Sequence, residues 1–182
     1  CLAGGVALNC VANGKIKETG LFENIYIQPA AGDAGGALGA ALAFYFNTLS
    51  KNKKVATPSN VMNSAYLGSQ YSSENIQETL NSLKATFDVV PYDQIPDIVS
   101  SLLVKGAAVG WFQGRMEFGP RALGARSILA DPRSPNMQRD LNLKIKFRES
   151  FRPFAPCILE ECVQDWFEFD GVSPYMLMVA KI

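Results

Sequence analysis

Ala107-Ala-Val-Gly-Trp-Phe112 runs straight into Gln113-Gly-Arg-Met-Glu-Phe-Gly-Pro-Arg-Ala-Leu-Gly-Ala-Arg-Ser-Ile-Leu-Ala-Asp-Pro132. The first six residues are apolar and strand-like, and Ser127 to Ala130 reads as a second short strand. Three arginines sit among glycines in the loop between them. A guanidinium is a planar fork of donors, and glycine lets main-chain N–H groups come close, so the loop is suited to an anion such as phosphate or carboxylate. Short strands alternating with amphipathic helices on both sides of this stretch predict a mixed α/β fold.

The total charge hides how unevenly it is spread, since 17 Lys+Arg balance 17 Asp+Glu. Residues 113 to 154 hold Arg115, Arg121, Arg126, Arg133, Arg139, Lys144, Lys146, Arg148 and Arg152 against Glu117, Asp131, Asp140 and Glu149. A one-sided field of this kind draws an anionic small molecule or, less often, a nucleic-acid backbone. Arg133 and Arg139 fit a solvated basic surface equally well. Arg121 and Arg126 differ, because their neighbours Gly119, Pro120, Ala122, Leu123, Gly124 and Ala125 give no reason for solvent exposure.

Composition removes several classes. The 182 residues, 48% hydrophobic and 19% charged, suit one medium domain or two pieces of domains. No apolar run approaches a membrane span. The start, Cys1-Leu-Ala-Gly-Gly, has neither an initiator Met nor a signal-peptide pattern and is read as an excised piece. Cys1, Cys10, Cys157 and Cys162 are too scattered for a disulfide scaffold or a metal knuckle, so reduced, cytoplasmic thiols are expected. The chain contains no histidine, so any catalysis within it rests on carboxylates, Lys, Arg or the substrate itself.

In the first unit, Cys1 to Ala3 reads as a strand end and Gly4-Gly5 as a sharp turn. Val6 to Ala12 starts a helix expected to stop near Asn13-Gly14. Asn24 to Gln28 alternates as a strand, and Ala30 to Phe46 gives a glycine-rich entry into a helix apolar on nearly every face. Asp33 at that entry suits either an N-cap or a metal ion carried by a nucleotide phosphate. Packing glycines would produce much of the same pattern.

Lys51 to Asn63 reads as a linker. Beyond it Ser72 or Ser73 caps a helix with Ile76, Leu80 and Leu83 on one face, and Phe87 to Val90 is a short strand. Asp93 caps a helix carrying Ile95, Ile98, Val99, Leu102 and Leu103, ended by Lys105-Gly106. Pro135 to Lys146 is a helix with Met137, Leu141 and Ile145 inward. Lys146-Phe-Arg-Glu-Ser-Phe-Arg-Pro-Phe-Ala-Pro156 then interleaves basic and aromatic residues. The preferred reading is a proline-rigid turn that reaches a phosphate; a base-stacking platform is the alternative. A helix near Glu160 to Phe167 and an apolar strand, Tyr175 to Ala180, close the chain.

Two separated motifs resemble an O-carbamoyltransferase of the nodulation-protein and antibiotic-tailoring type. One is Gly4-Gly-Val-Ala-Leu-Asn9 with Gly32-Asp-Ala-Gly-Gly36; the other is Gly114 to Ser127 with Asn142, Lys144 and Phe151-Arg-Pro-Phe-Ala-Pro156. The resemblance implies that residues 1–50 are the C-terminal part of an actin-like ATPase-fold domain. It implies a linker at 51–63 and, at 64–182, a carbamoyltransferase C-terminal domain similar to threonylcarbamoyl-AMP synthase folds and truncated at its end. The implied activity forms carbamoyl-adenylate from carbamoyl phosphate and ATP and passes the carbamoyl group to an acceptor hydroxyl.

On that resemblance Arg121, Arg126, Lys144, Lys146, Arg148 and Arg152 are the catalytic cations. Gly4, Gly5, Asn9, Gly35, Gly36, Gly114 and Ser127 contact ATP or its adenylate. Asp33 matches a carboxylate ligand of a divalent metal, iron or magnesium, in the full-length protein. The family's histidine metal ligands lie in an N-terminal region, so this segment alone is expected not to complete transfer. The implied partners are small-molecule substrates rather than a membrane or nucleic acid, and a homodimer is left open. The rival readings are a non-catalytic RNA- or nucleotide-binding module and a scaffold fragment.

Overall fold

The computed structural model describes residues 1–49 and 65–182; the expected linker, 51–63, lies outside them. The chain forms two compact units, one from Cys1–Gly68, Met116–Leu123 and Ile158–Ile182, the other from Ser69–Arg115 and Gly124–Cys157. Among the described residues, helices and one small sheet give the mixed α/β character expected.

In the first unit a parallel bridge joins Leu2 to Ile27, and the Gly4 N–H donates to the Ala31 carbonyl at 2.7 Å. Expected strands at Asn24–Gln28 and Tyr175–Ala180 are otherwise irregular. A short 3₁₀ helix, Gly5–Leu8, precedes α1, Cys10–Glu18. Ala7, Ile27, Ala31 and Leu177 form the core, with Leu2, Leu8, Ile25, Tyr175 and Met178 around it.

Helix α1 does not stop at Asn13-Gly14 as the sequence suggested. Asn13 is 2% exposed, and its amide donates to the carbonyls of Ala7 (2.8 Å) and Leu177 (2.9 Å). A Cβ on Gly14 would stand 2.6 Å from the Val179 carbonyl oxygen, so glycine lets that strand of backbone lie against the helix. Two residues that resemble a stop signal in sequence are packing residues here. Lys17 reinforces the same face by donating to the Asp170 carbonyl and lying 3.8 Å over the Phe169 ring.

Helix α2, Asp33–Ala43, continues as a π turn, Phe44–Thr48. Its N-cap is Gly32, which corrects the capping alternative for Asp33: that residue is the first inside the helix, where its charge favours the dipole. Leu42, Phe44, Tyr45 and Leu49 are exposed.

In the second unit Ser72 caps α3, Ser73–Ser82, accepting from the Asn75 N–H at 3.2 Å. Phe87–Val90 is irregular instead of a strand. Helix α4, Ile95–Val104, has Gln94 at its N-cap position without a side-chain cap bond; Asp93 belongs to the preceding 3₁₀ turn, Tyr92–Gln94. Strands β1, Val109–Phe112, and β2, Arg126–Leu129, pair antiparallel with Phe112 opposite Arg126. Helix α5, Met137–Asp140, widens into a π turn, Leu141–Ile145, instead of remaining α-helical to Lys146. In the first unit, α6, Val163–Trp166, follows a 3₁₀ turn, Glu160–Cys162.

Candidate functional site

The arginine loop divides between the units. Met116–Leu123 belongs to the first. There the Phe118 N–H donates to the Ala65 carbonyl at 2.7 Å. The Leu123 N–H donates to buried Glu117 Oε1 at 2.7 Å. That carboxylate closes the Gly119-Pro120 bend from inside. Gly119, at φ 127°, is packed on Pro29 and Ala30, where a Cβ would be 3.3 Å from the Ala30 Cβ.

Arg121, on this bend, donates from Nη2 to the Leu8 carbonyl at 2.8 Å. It thereby fixes the end of the 3₁₀ helix that begins at Gly5. Its Nε is buried with no hydrogen-bond partner, which leaves a donor to be satisfied by water or ligand. Among the expected ATP contacts in this unit, Gly4 has φ 88°. Added Cβ atoms at Gly4, Gly5 and Gly36 would meet nothing within 4 Å, so a flat ring can approach the backbone there. Asn9 instead caps α1, its Oδ1 accepting from the Ala12 N–H at 3.1 Å. Gly35 is also accounted for by packing, because a Cβ there would collide with the Ala30 carbonyl.

Asp33 is exposed, and no group of three or more Cys, Asp or Glu side chains among the described residues could hold a metal ion. One carboxylate falls short of the donor set that a divalent cation needs. The described residues do not by themselves make a metal centre.

The second unit carries Arg126, Lys144, Lys146, Arg148 and Arg152. Arg126 is fastened to the backbone of its own loop: Nη1 donates to the Gln113 and Ala125 carbonyls, both at 2.9 Å, and Nη2 to the Gly114 carbonyl at 3.2 Å. Its guanidinium carbon lies 3.5 Å from the Phe112 ring centroid. The antiparallel register places that ring directly opposite, so the sheet itself sets the stack. Gly114, at φ 53°, thus contributes a carbonyl to Arg126. Ser127 braces the same turn by accepting from the Gly124 N–H at 2.9 Å. Gln113, not singled out from sequence, ties the loop from the other side, its Nε2 donating to the Gly124 carbonyl at 3.1 Å.

Arg148 is held by neutral groups. Its Nε donates to Asn142 Oδ1 at 2.6 Å and its guanidinium lies 4.8 Å from the Phe154 ring centroid. Among the described residues it has no carboxylate partner. Arg152 makes a loose ion pair with Glu149 at 3.9 Å, and Lys144 shares Asp140 with Arg139, each at 3.6 Å. Lys146 is exposed at the end of the π turn. Phe147 and Phe151 are 83% and 78% exposed. Phe154, half-buried, receives Arg148.

Arg133 is accounted for by structure. Its Nε and Nη2 grip Asp131, with Nη2 to Oδ2 at 2.7 Å. That side-chain contact, followed by the Arg133 N–H, holds the Asp131 carboxyl down to about 2. A guanidinium paired this way with a neighbouring carboxylate has little charge left for a ligand.

Residues 1–42 match the family model described as Carbamoyltransferase N-terminus, and 100–182 match Carbamoyltransferase C-terminus. Over its whole length the chain is 54% identical to Uncharacterized protein sll1178 of Synechocystis sp. and 45% identical to Nodulation protein NolO of Bradyrhizobium diazoefficiens. Over 97% of its length it is 38% identical to Nodulation protein U of Sinorhizobium fredii. It spans 30%, 33% and 29% of these three proteins, so about a third of the curated relatives it matches. No helix among the described residues is long and apolar enough to cross a membrane. Both ends of the chain, each carrying one of the two motifs, answer to the same family: it belongs to the carbamoyltransferases.

Proposed function

We propose that the full protein forms carbamoyl-adenylate from carbamoyl phosphate and ATP and transfers the carbamoyl group to an acceptor hydroxyl. The observation that carries this reading is Arg148, a cation held by an amide and a ring with no carboxylate among the described residues to cancel it. Arg126, fixed by three carbonyls, Arg152, Lys144 and Lys146 lie in the same unit.

In this reading water releases carbamate and inorganic phosphate from carbamoyl phosphate. A carbamate oxygen then bonds to the α-phosphorus of ATP as pyrophosphate leaves. Finally the acceptor oxygen attacks the carbamoyl carbon, AMP departs and the hydroxyl proton passes to solvent. The middle step brings two anions together, so fixed cations lower its barrier by positioning and by electrostatic stabilisation, without a histidine base. Arg126 and Arg152 are the preferred pair for carbamoyl phosphate. The open backbone at Gly4 and Gly5, with Arg121, is assigned to the adenylate.

The domain assignment follows the same reading: residues 1–50 from an actin-like ATPase fold and 64–182 from a fold similar to threonylcarbamoyl-AMP synthase. Asp33 would supply one metal ligand, with further donors from elsewhere in the full chain, and the protein would work in the cytoplasm. Mass spectrometry of the full protein incubated with carbamoyl phosphate and ATP tests the activity. A species at the mass of carbamoyl-adenylate, dependent on both substrates, is expected; its absence under conditions that support ATP binding would refute the reading.

The exposed Phe147 and Phe151 beside Lys146 and Arg148 favour a second reading, single-stranded RNA binding by base stacking. An RNA affinity that falls steeply as salt rises would support it.

A further inference from the structure

The basic segment after α5 is organised by one residue that the charge pattern does not reveal. Asn142 is 0% exposed. Its Nδ2 donates to the carbonyls of Ser150 (3.2 Å) and Arg152 (2.8 Å), and its Oδ1 accepts from Arg148 Nε at 2.6 Å. Its own carbonyl accepts from the Arg148 N–H at 3.0 Å. Both amide hydrogens and the amide oxygen are engaged, and flipping the amide would set a donor against Arg148 Nε and an acceptor against two carbonyls. Neither aspartate nor leucine of similar shape can make this set.

Gln138, four residues earlier and therefore on the same helix face, repeats the motif at lower burial. Its Nε2 donates to the carbonyls of Phe151 (2.9 Å) and Arg152 (3.2 Å). The Arg152 carbonyl thus receives a donor from each side chain. Between Asn142 and the Ser150 and Arg152 carbonyls that it holds, the chain takes a cost: Phe147, a bulky residue, sits at φ 49°. Such a conformation persists where surrounding contacts over-determine it, and these cluster at functional sites. The π turn at Leu141–Ile145, closed by the Lys146 N–H on the Leu141 carbonyl at 2.9 Å, is another such feature.

We propose that Asn142, seconded by Gln138, is a positioning residue that fixes the Arg148–Arg152 segment in the geometry needed to receive a phosphorylated anion. The inference rests on reading this segment as the carbamoyl phosphate site. Asn142 does not touch the ligand; it aims Arg148 through Oδ1 and sets the backbone from which Arg152 departs. The consequence is a specific kinetic signature. Losing the anchor weakens capture of the phosphoryl group while leaving the ATP side and the chemistry of the bound state largely intact.

The test uses the full chain, with Asn142→Ala, Asn142→Asp and Gln138→Ala against wild type. Two measurements are made: kcat and KM for carbamoyl phosphate and for ATP, and calorimetric titration with inorganic phosphate as the probe. Asn142→Ala should raise the carbamoyl phosphate KM about tenfold, with kcat and the ATP KM within about threefold of wild type. Asn142→Asp loses both donations and sets a carboxylate on the Arg148 guanidinium, so it should raise the carbamoyl phosphate KM at least as far as Asn142→Ala. Gln138 is exposed, so its variant should fold normally and raise that KM about threefold, which keeps the proposal testable even when Asn142→Ala does not fold.

Unchanged carbamoyl phosphate KM in Gln138→Ala and Asn142→Asp would overturn the positioning role. A parallel fall of kcat with both KM values rising would also overturn it, since that marks general loss of packing. The phosphate titration separates this inference from the reading beneath it. Phosphate binding that weakens about tenfold in Asn142→Ala, without carbamoyl phosphate-dependent turnover in wild type, upholds the positioning role and removes the carbamoyl reading. Turnover with wild-type KM in every variant removes the positioning role alone. Neither turnover nor phosphate binding in wild type removes both.

Discussion

Replacing Asn13 by alanine removes the side-chain amide that donates to the Ala7 and Leu177 carbonyls, leaving both in a buried setting without it. An unsatisfied buried polar group costs about 1–3 kcal/mol, so urea unfolding of Asn13→Ala should show a loss of about 2–4 kcal/mol. A loss below about 0.5 kcal/mol would mean that water replaces the amide. Asp131 offers a titration with a defined sign. The Arg133 fork depresses its carboxyl to about 2 in the folded chain, against about 3.9 in an unfolded one. The pair's stabilisation is therefore complete above the ordinary carboxylate range and disappears as pH falls through about 2. Arg133→Gln should move the Asp131 midpoint, followed by carboxyl-carbon NMR, back up toward the ordinary value. At this scale the sequence, through their apolar neighbours, pointed Arg121 and Arg126 at a ligand but was silent on the carbonyls and the ring that hold Arg126. It was a poor guide to Asn13 and Asn142, because an asparagine looks the same in a loop, a cap or a buried knot until the carbonyls around it are placed.

Glycine acts with opposite signs in α1 and α2. In an open helix alanine is favoured over glycine by about 1 kcal/mol. Gly39 of α2 has nothing within 4 Å of where a Cβ would stand, whereas at Gly14 of α1 a Cβ would be 2.6 Å from the Val179 carbonyl oxygen and 2.9 Å from its Cγ2. Thermal unfolding should therefore show Gly39→Ala raising Tm and Gly14→Ala lowering it, despite the shared propensity gain. A Tm that rises in both would show that Val179 yields without cost. Where local signals and tertiary contacts agreed, the elements were legible: Ser72 caps α3, Gly106 ends α4 at φ 84°, and the two strands flank the arginine loop within one or two residues of expectation. Where they competed, tertiary contact won. Asn13-Gly14 is a packing point inside α1, and the apolar Phe87–Val90 and Tyr175–Ala180 are irregular because β pairing needs a partner strand that periodicity alone cannot supply.

For the molecule as a whole, the uneven charge was the most useful sequence signal, yet charge alone did not say which cations are committed. The structure sorts them by partner: Arg133 to Asp131, Arg139 and Lys144 to Asp140, Arg126 to three carbonyls and a ring, and Arg148 to an amide and a ring. At Arg148 the neutral partners fix the guanidinium without cancelling its charge, which is the condition for pre-organised anion recognition. The anion to which the proposal commits is carbamoyl phosphate. The most direct measurement is calorimetric titration of carbamoyl phosphate into the full chain and into an Arg148→Ala, Arg152→Ala variant that keeps the wild-type Tm. The account predicts saturable binding by wild type and an affinity at least about thirtyfold weaker in the variant, roughly 2 kcal/mol. Equal affinity in the two proteins, or no binding by wild type, would contradict it.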